Sequence, residues 1–207
     1  MKLVVFGATG GIGAQVIEQA VAAGHEVTAV ARRPEAVTLR HEHLEVVRGD
    51  VLEPETLRGP IAGKDAVISA VGARDRGPTT VYSQGVANIV KAMQSAHVRR
   101  LFCISASGLE PGPLWQRLIA KPILWTVLKE SYSDLERMET LVKRSNVDWT
   151  IVRPPRLTDG PRTGKYQVAL NTHLHNGMIL SRADVADYIL TPLGDIQSRC
   201  AVVELAY

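Results

Sequence analysis

Aromatic side chains are scarce in this chain: two Phe, three Trp and five Tyr among 207 residues. No stretch interleaves rings with basic residues, which excludes a stacking platform for single-stranded nucleic acid. Charge of one sign is also missing. Lys and Arg total 24 against 21 Asp and Glu, a net of +3, too mild for a nucleic-acid coat. Cysteine is rare as well. Cys103 and Cys200 lie far apart and match no metal spacing, and a disulfide framework would need more of them in a much shorter chain. Both read as small buried hydrophobes of a reducing compartment. No apolar run approaches the roughly 18 residues of a membrane span. Lys2 is followed only by Leu3–Phe6 before glycines begin, so no signal peptide is expected. The expected location is the cytoplasm. Internal repeats and low-complexity tracts are absent.

What is present is a regular alternation. At roughly 100–200 residues per domain, the length predicts a single domain over 1–207, with no room for a separate substrate domain. Short apolar runs at Leu3–Phe6, Val27–Ala31, Leu44–Val47, Ala66–Ala70, Leu101–Ile104, Trp149–Val152 and Ala201–Leu205 predict strands covered on both faces. Helical stripes separate them: Ile12, Val16, Ile17, Ala20 and Val21; Val86, Ile89, Val90 and Met93; Leu135, Met138, Leu141 and Val142. Ser181 is a candidate cap for a helix over Arg182–Leu190. Such alternation predicts an α/β fold, a doubly wound parallel sheet with right-handed crossovers. The rhythm breaks from Gly108 to Tyr132, within which Leu114–Leu128 is largely apolar. With Pro122 inside it, this stretch reads as a proline-interrupted helix, a lid or a dimer contact. Beyond Arg153 the chain reads as irregular through Pro154, Pro155, Gly160, Pro161 and Gly164.

The first strand runs straight into Gly7-Ala8-Thr9-Gly10-Gly11-Ile12-Gly13, and a helix follows at once. Glycines at 7, 10 and 13 form a GxxGxxG dinucleotide fingerprint in the strand–turn–helix context it requires. Gly7 permits the tight turn, Gly10 lets backbone approach a pyrophosphate, and Gly13 allows close helix–strand packing. The free N–H groups and positive dipole end of the helix face the phosphates. At the end of the second strand, an acidic residue would bind a ribose 2′-hydroxyl and repel a 2′-phosphate. Arg32 and Arg33 stand there instead, and two guanidiniums suit the phosphate of NADP(H). Asp50 and Val51 end the third strand, where a carboxylate and a backbone N–H can meet an adenine edge; Asp50 also reads as a turn residue.

From Asp50 onward the sequence resembles the atypical short-chain dehydrogenase/reductase group with NmrA-like NAD(P)-binding domains, and its biliverdin-IXβ reductase (flavin reductase) branch in particular. Val71-Gly72-Ala73-Arg74, Pro78-Thr79-Thr80-Val81, Ser83, Gly85 and Asn88-Ile89-Val90 carry the resemblance after the fourth strand. Pro154-Pro155, Asp159, Pro161, Thr163-Gly164 and Tyr166 carry it after the sixth. The resemblance implies a Rossmann fold with cofactor contacts at Gly7, Thr9, Gly10, Gly11, Ile12, Arg32, Arg33, Asp50 and Val51. It implies Val71, Gly72 and Arg74 beside the ribose and pyrophosphate. It implies Cys103 and Ser105 near the nicotinamide, with Pro154 and Pro155 shaping its other wall.

Carbonyl-reducing members of this class use a Tyr acid with a Lys four residues on. Here Tyr82, Tyr132, Tyr166 and Tyr188 are followed at that spacing by Val86, Glu136, Leu170 and Pro192. A flavin or a conjugated tetrapyrrole delocalises the incoming charge, so hydride transfer to it needs no such pair. Ser105 and Arg156 are the catalytic candidates. Ser105 can donate a hydrogen bond near the nicotinamide or acceptor, or simply satisfy backbone at a strand end. Arg156 stands where biliverdin-type enzymes have His, and Arg anchors a carboxylate, phosphate or electron-rich ring without acting as a neutral-pH acid. Arg153 is expected to brace the loop. His41, His43, His173 and His175 form no metal pattern. The expectation is an NADPH-dependent reductase of a flavin-like or other conjugated, anionic small molecule, with NADP(H) as cofactor. No metal, nucleic-acid partner or membrane span is expected, and the protein should be a monomer or weak homodimer. Its acceptor cleft would lie between Gly108–Tyr132 and Arg153–Leu180. The competing reading is an NmrA-type sensor that binds NADP(H) without turnover.

Overall fold

Branched apolar runs form strands when both faces are covered by helices, and this chain alternates accordingly. Its elements are β1 (Lys2–Phe6), α1 (Gly11–Ala22), β2 (Glu26–Ala31), β3 (Leu44–Arg48), α2 (Arg58–Ile61), β4 (Ala66–Ser69), α3 (Ser83–Ser95) and β5 (Arg100–Ile104). They continue with α4 (Lys121–Lys143), β6 (Asp148–Arg153), β7 (Arg156–Thr158), β8 (Gln167–Leu170), β9 (Ile179–Ser181), α5 (Arg182–Leu190) and β10 (Ala201–Ala206). The computed structural model describes the chain except residues 74–76, 110–120, 175–176, 192 and 194–195, and except the side chains of 121–128.

The main sheet has the order β3-β2-β1-β4-β5-β6-β10-β8. All its pairings are parallel except that of β8 with β10. Connections wind one way from β1 through β2 to β3, then return past β1 to β4. This reversal opens a crevice at the carboxyl ends of β1 and β4, the place where doubly wound sheets bind ligands. The period-2 alternation of β1 builds both cores. Leu3 and Val5 pack with residues of α1 and α5, and Val4 and Phe6 pack with residues of α2, α3 and α4. Each such fully buried side chain contributes about 1.5–3 kcal/mol.

The expected strands and the Ser181 cap are present; Ser181 Oγ accepts from the Asp184 N–H at 3.0 Å. Other expectations are corrected. Pro122 stands in the first turn of α4 as described, where its missing N–H costs no intrahelical bond; the proline-interrupted-helix reading also falls on residues outside the described part. Residues 114–120 and the side chains of 121–128 lie outside the described part, and with them the lid and contact readings of Leu114–Leu128. Leu141 is 43% exposed. The buried face of α4 runs instead through Leu135, Met138, Glu139 and Val142, at true i, i+3, i+4, i+7 spacing. The stretch after Arg153 contains three short strands, and β7 pairs with β9 in a separate two-stranded sheet. Cys200 is exposed, at φ +52 in the turn before β10, and only Cys103 is buried. No helix among the described residues is long and apolar enough to cross a membrane.

Candidate functional site

A cleft of about 940 Å³ lies at the reversal of the sheet, lined by the turn after β1 and by the carboxyl ends of β2, β3, β4 and β5. Gly7 adopts φ +79, and a β-carbon there would lie 2.3 Å from the Ala70 carbonyl oxygen, so β1 leaves the sheet hard against the end of β4. A β-carbon on Gly13 would lie 2.2 Å from the Gly7 carbonyl oxygen, which fixes α1 directly behind the turn. Gly10 is the N-cap of α1 and offers no side-chain cap, and the first turn holds no acidic residue. Its donors are therefore open to an anion. Thr9, Gly10, Gly11 and Ile12 all line the cleft. This glycine cradle, in a cleft near the upper end of the roughly 300–1,000 Å³ of ligand sites, fits a dinucleotide.

Arg32 and Arg33 line the same cleft at the end of β2, exposed, and neither forms an ion pair with any described residue. Asp50 and Val51 line it beyond β3. The Asp50 carboxylate accepts from the Leu52 N–H at 3.0 Å, so the turn role coexists with its place in the wall. Behind Val51 stand two residues of the α3 motif. A β-carbon on Gly85 would meet Val51 Cγ2 at 2.8 Å, and Asn88 Nδ2 donates to the Val51 carbonyl at 2.9 Å. Val71, Gly72 and Ala73 line the cleft beyond β4. The Tyr82 hydroxyl accepts from the Ala73 N–H at 3.0 Å. Arg74 lies outside the described residues. At the start of α3, the buried Asp134 of α4 accepts from the Tyr82 and Ser83 N–H groups and from the Ser83 hydroxyl. One carboxylate thus pins α3 and, through Tyr82, the β4 loop.

Ser105 lines the cleft just past β5 and is 7% exposed. Its hydroxyl does not point a proton into the cleft: it donates to Glu139 Oε1 at 2.7 Å. Glu139 was not found from the sequence. It is a carboxylate on the buried face of α4, bound by Arg153 through Nε to Oε1 at 2.8 Å and Nη2 to Oε2 at 2.6 Å. Lys143 Nζ adds 3.1 Å to Oε2. Burial alone would raise the Glu139 pKa. The hydrogen bonds and charge of Arg153, then Ser105 and Lys143, outweigh it and hold the carboxyl below its ordinary value. The signal available in sequence was a charged residue four positions after Leu135 on an apolar stripe, which calls for a buried partner. Through this pair Arg153 ties the end of β6 to α4.

The cleft wall also includes Ser131, Tyr132, Leu135 and Leu157. The Tyr132 hydroxyl donates to the Ser107 carbonyl at 3.2 Å, and burial pushes its phenol up. Cys103, Pro154, Pro155 and Arg156 are not among the lining residues. Cys103 is fully buried in the core on the α3–α4 face, and burial, with Glu139 nearby, pushes its thiol up. Pro154 is buried, with its carbonyl taken by the Ser107 N–H at 2.9 Å. Arg156 is exposed at the start of β7, next to Leu157. The loop that follows is held by α5. Asp184 is fully buried and accepts from Thr163 N and Oγ1 at 2.8 Å, Gly164 N at 2.9 Å and the Tyr207 hydroxyl at 2.6 Å. The Tyr166 hydroxyl donates to Asp187 at 2.7 Å. Thr163, Gly164 and Tyr166 are thus loop anchors. No metal-binding cluster forms among the described residues.

Residues 7–195 match the model of a protein family described as NAD(P)H-binding. The chain is 30% identical over 220 residues to the UPF0659 protein C216.03 of Schizosaccharomyces pombe, with 98% of this chain and 88% of that protein covered. ChuY, an anaerobillin reductase from Escherichia coli O157:H7, is similar in structure with a TM-score of 0.78 at 26% identity, covering 100% of this chain and 97% of that one. A short-chain dehydrogenase/reductase from Veillonella parvula DSM 2008, in complex with NADP, shares the fold with a TM-score of 0.83 at 19% identity, covering 100% and 94%. The fold is that of NAD(P)H-binding oxidoreductases, and the atypical short-chain dehydrogenase/reductase, NmrA-like grouping fits these neighbours.

Proposed function

The chain belongs to the NAD(P)H-binding family, and on that footing we propose that it is an NADPH-dependent reductase passing hydride to a flavin or similar conjugated acceptor. The content of the cleft carries this reading. One end has the open start of α1 and the paired Arg32 and Arg33; the other has the broad faces of Tyr132, Leu135 and Leu157; and among the described residues no Lys lines it. With no Lys four residues after Tyr82, Tyr132, Tyr166 or Tyr188, the sequence does not supply the Tyr–Lys acid of alcohol–ketone chemistry, and the cleft suits two flat ring systems held in contact.

In this reading Gly7, Thr9, Gly10, Gly11 and Ile12 take the diphosphate, Arg32 and Arg33 the 2′-phosphate, Asp50 and Val51 the adenine, and Val71 and Gly72 the ribose. The reduced nicotinamide, when bound, supplies the hydride. Ser105 and Arg156 serve the reacting end. Ser105, its proton committed to Glu139, offers the cleft an acceptor oxygen. Arg156 forms no ion pair with a described residue and is available for an acceptor's carboxylate, phosphate or electron-rich edge. Solvent supplies the proton that a delocalised acceptor takes up. Both cysteines are free, as suits a cytoplasmic protein.

The test is absorbance at the nicotinamide band with purified protein, NADPH and either FMN or dichlorophenolindophenol. NADPH oxidation that saturates with acceptor is expected. Tight NADP binding with no oxidation by any acceptor would overturn the reductase reading in favour of a sensor without turnover.

A further inference from the structure

Among the described residues, three cationic side chains line the cleft: Arg32, Arg33 and Arg182. The first two sit at the end of β2. The third arrives from the other end of the chain, as the first residue of α5. Its side chain lies across Gly11, where an added β-carbon would fall 2.5 Å from Arg182 Cδ and 2.8 Å from Nε. Gly11 is the first residue of α1, in the turn whose N–H groups are uncapped. Its lack of a side chain makes room for Arg182.

A dinucleotide with a 2′-phosphate carries two anionic groups, that phosphate and the diphosphate joining its halves. The cleft offers cations at two places. Arg32 and Arg33 stand where the 2′-phosphate is expected. We propose that Arg182 is a ligand of the diphosphate, adding a full charge to the partial charges of the α1 N-terminus. This rests on the cofactor placement proposed above. Arg182 is 30% exposed in its side chain and forms an ion pair with Asp159, itself 90% exposed. A pair so open to water contributes little and leaves the guanidinium's other N–H groups for a ligand. Asp159 follows β7 by one residue. Arg182 therefore ties the segment walling the acceptor side to the phosphate-binding turn.

Calorimetric binding of NADPH, NADH and adenosine 2′-monophosphate to the wild type and to Arg182→Ala tests this. The last ligand has the 2′-phosphate and no diphosphate. Arg182→Ala should weaken NADPH and NADH by the same factor, about tenfold or more, the value of one charge-assisted hydrogen-bonding group. Adenosine 2′-monophosphate should bind as before, which also shows that the variant is folded. Arg182→Lys should recover part of the loss. Unchanged NADPH affinity in Arg182→Ala, or an equal loss for adenosine 2′-monophosphate, would overturn the assignment while leaving the cofactor site intact. Absence of NADPH binding by the wild type would instead remove the cofactor placement on which it rests.

Discussion

Ser105 Oγ donates its one proton to Glu139 Oε1 at 2.7 Å, and so faces the cleft as a hydrogen-bond acceptor. A serine hydroxyl has a single proton. With that proton held by an ionised, buried carboxylate, the ligand atom opposite Ser105 must be a donor. Ser105→Ala should lower kcat/KM for NADPH oxidation by about tenfold, the scale of one hydrogen bond polarised by a charge. Glu139→Gln should lower it too, and in the Ser105→Ala background should add no further loss. Independent, additive losses in that double-mutant cycle would separate Glu139 from Ser105 and end the argument.

The same carboxylate sets part of the acid limb of stability. Glu139 is held below its ordinary value of 4.5 in the folded chain. Above that value it is ionised in both states and the pair with Arg153 contributes fully. As pH falls, the unfolded chain binds a proton first, so stability drops until the folded pKa is passed. Wild type should therefore exceed Glu139→Gln in Tm at pH 7, and the gap should narrow as pH falls below the ordinary glutamate value. Asp148, held down by its hydrogen bond from Arg99, and Asp184, where bonds led by Tyr207 outweigh burial, act in the same direction. The variant's own acid limb should therefore persist. A gap independent of pH would show that Glu139 does not titrate as argued. Glu139→Ala should be worse, by about 3–5 kcal/mol, because it removes the carboxylate that neutralises the buried Arg153 guanidinium.

What could be read from the sequence followed from local rules. The GxxGxxG turn and the Ser181 cap depend on neighbours within a few residues, and they appear where expected. Cys103 could not be assigned to a face, because β5 is apolar at every position from Leu101 to Ile104. Period-2 alternation then carries no mark of which face meets the cleft, and the thiol turns to the α3–α4 core. The Glu139–Arg153 pair was hidden for a different reason. It joins a helix to a strand across 14 residues, and Leu141 took the place of Glu139 in the apparent stripe on α4. The strands β7, β8 and β9 were hidden because prolines and glycines interrupt their short runs. They are held by pairing with distant partners, β8 with β10 and β7 with β9, while buried Asp184 of α5 holds the loop between β7 and β8 through Thr163 and Gly164.

Cofactor preference should reside in Arg32 and Arg33. Both are exposed, without ion pairs to described residues, at the cleft end of β2. Nothing in the fold depends on their charge, so the double substitution Arg32→Ala, Arg33→Ala should change unfolding free energy by no more than about 0.5 kcal/mol. NADPH affinity should fall by about tenfold or more for each guanidinium lost to the 2′-phosphate, with NADH affinity unchanged. Equal losses for the two cofactors, measured side by side by titration, would refute a 2′-phosphate role.

The acceptor-side loop should loosen without loss of cofactor binding when Asp184 is changed. This buried carboxylate accepts from two backbone N–H groups and two hydroxyls of Thr163, Gly164 and Tyr207, and from Ser181 Oγ at 3.1 Å. Asp184→Asn has nearly the same shape, but it replaces one acceptor oxygen by a donor. At least one of these donors then faces an N–H, at a cost of about 1.5–3 kcal/mol. The damage should stay local, because Thr163 and Gly164 belong to the loop while the phosphate-binding turn is built from Gly7, Gly10 and Gly13. The variant should be cut faster between Asp159 and Tyr166 in limited proteolysis. Its kcat/KM for the acceptor should fall while NADPH affinity holds. Protection of that segment equal to wild type, or an NADPH affinity that falls in step with acceptor turnover, would show that the loop is not held by Asp184 or does not act on the acceptor alone.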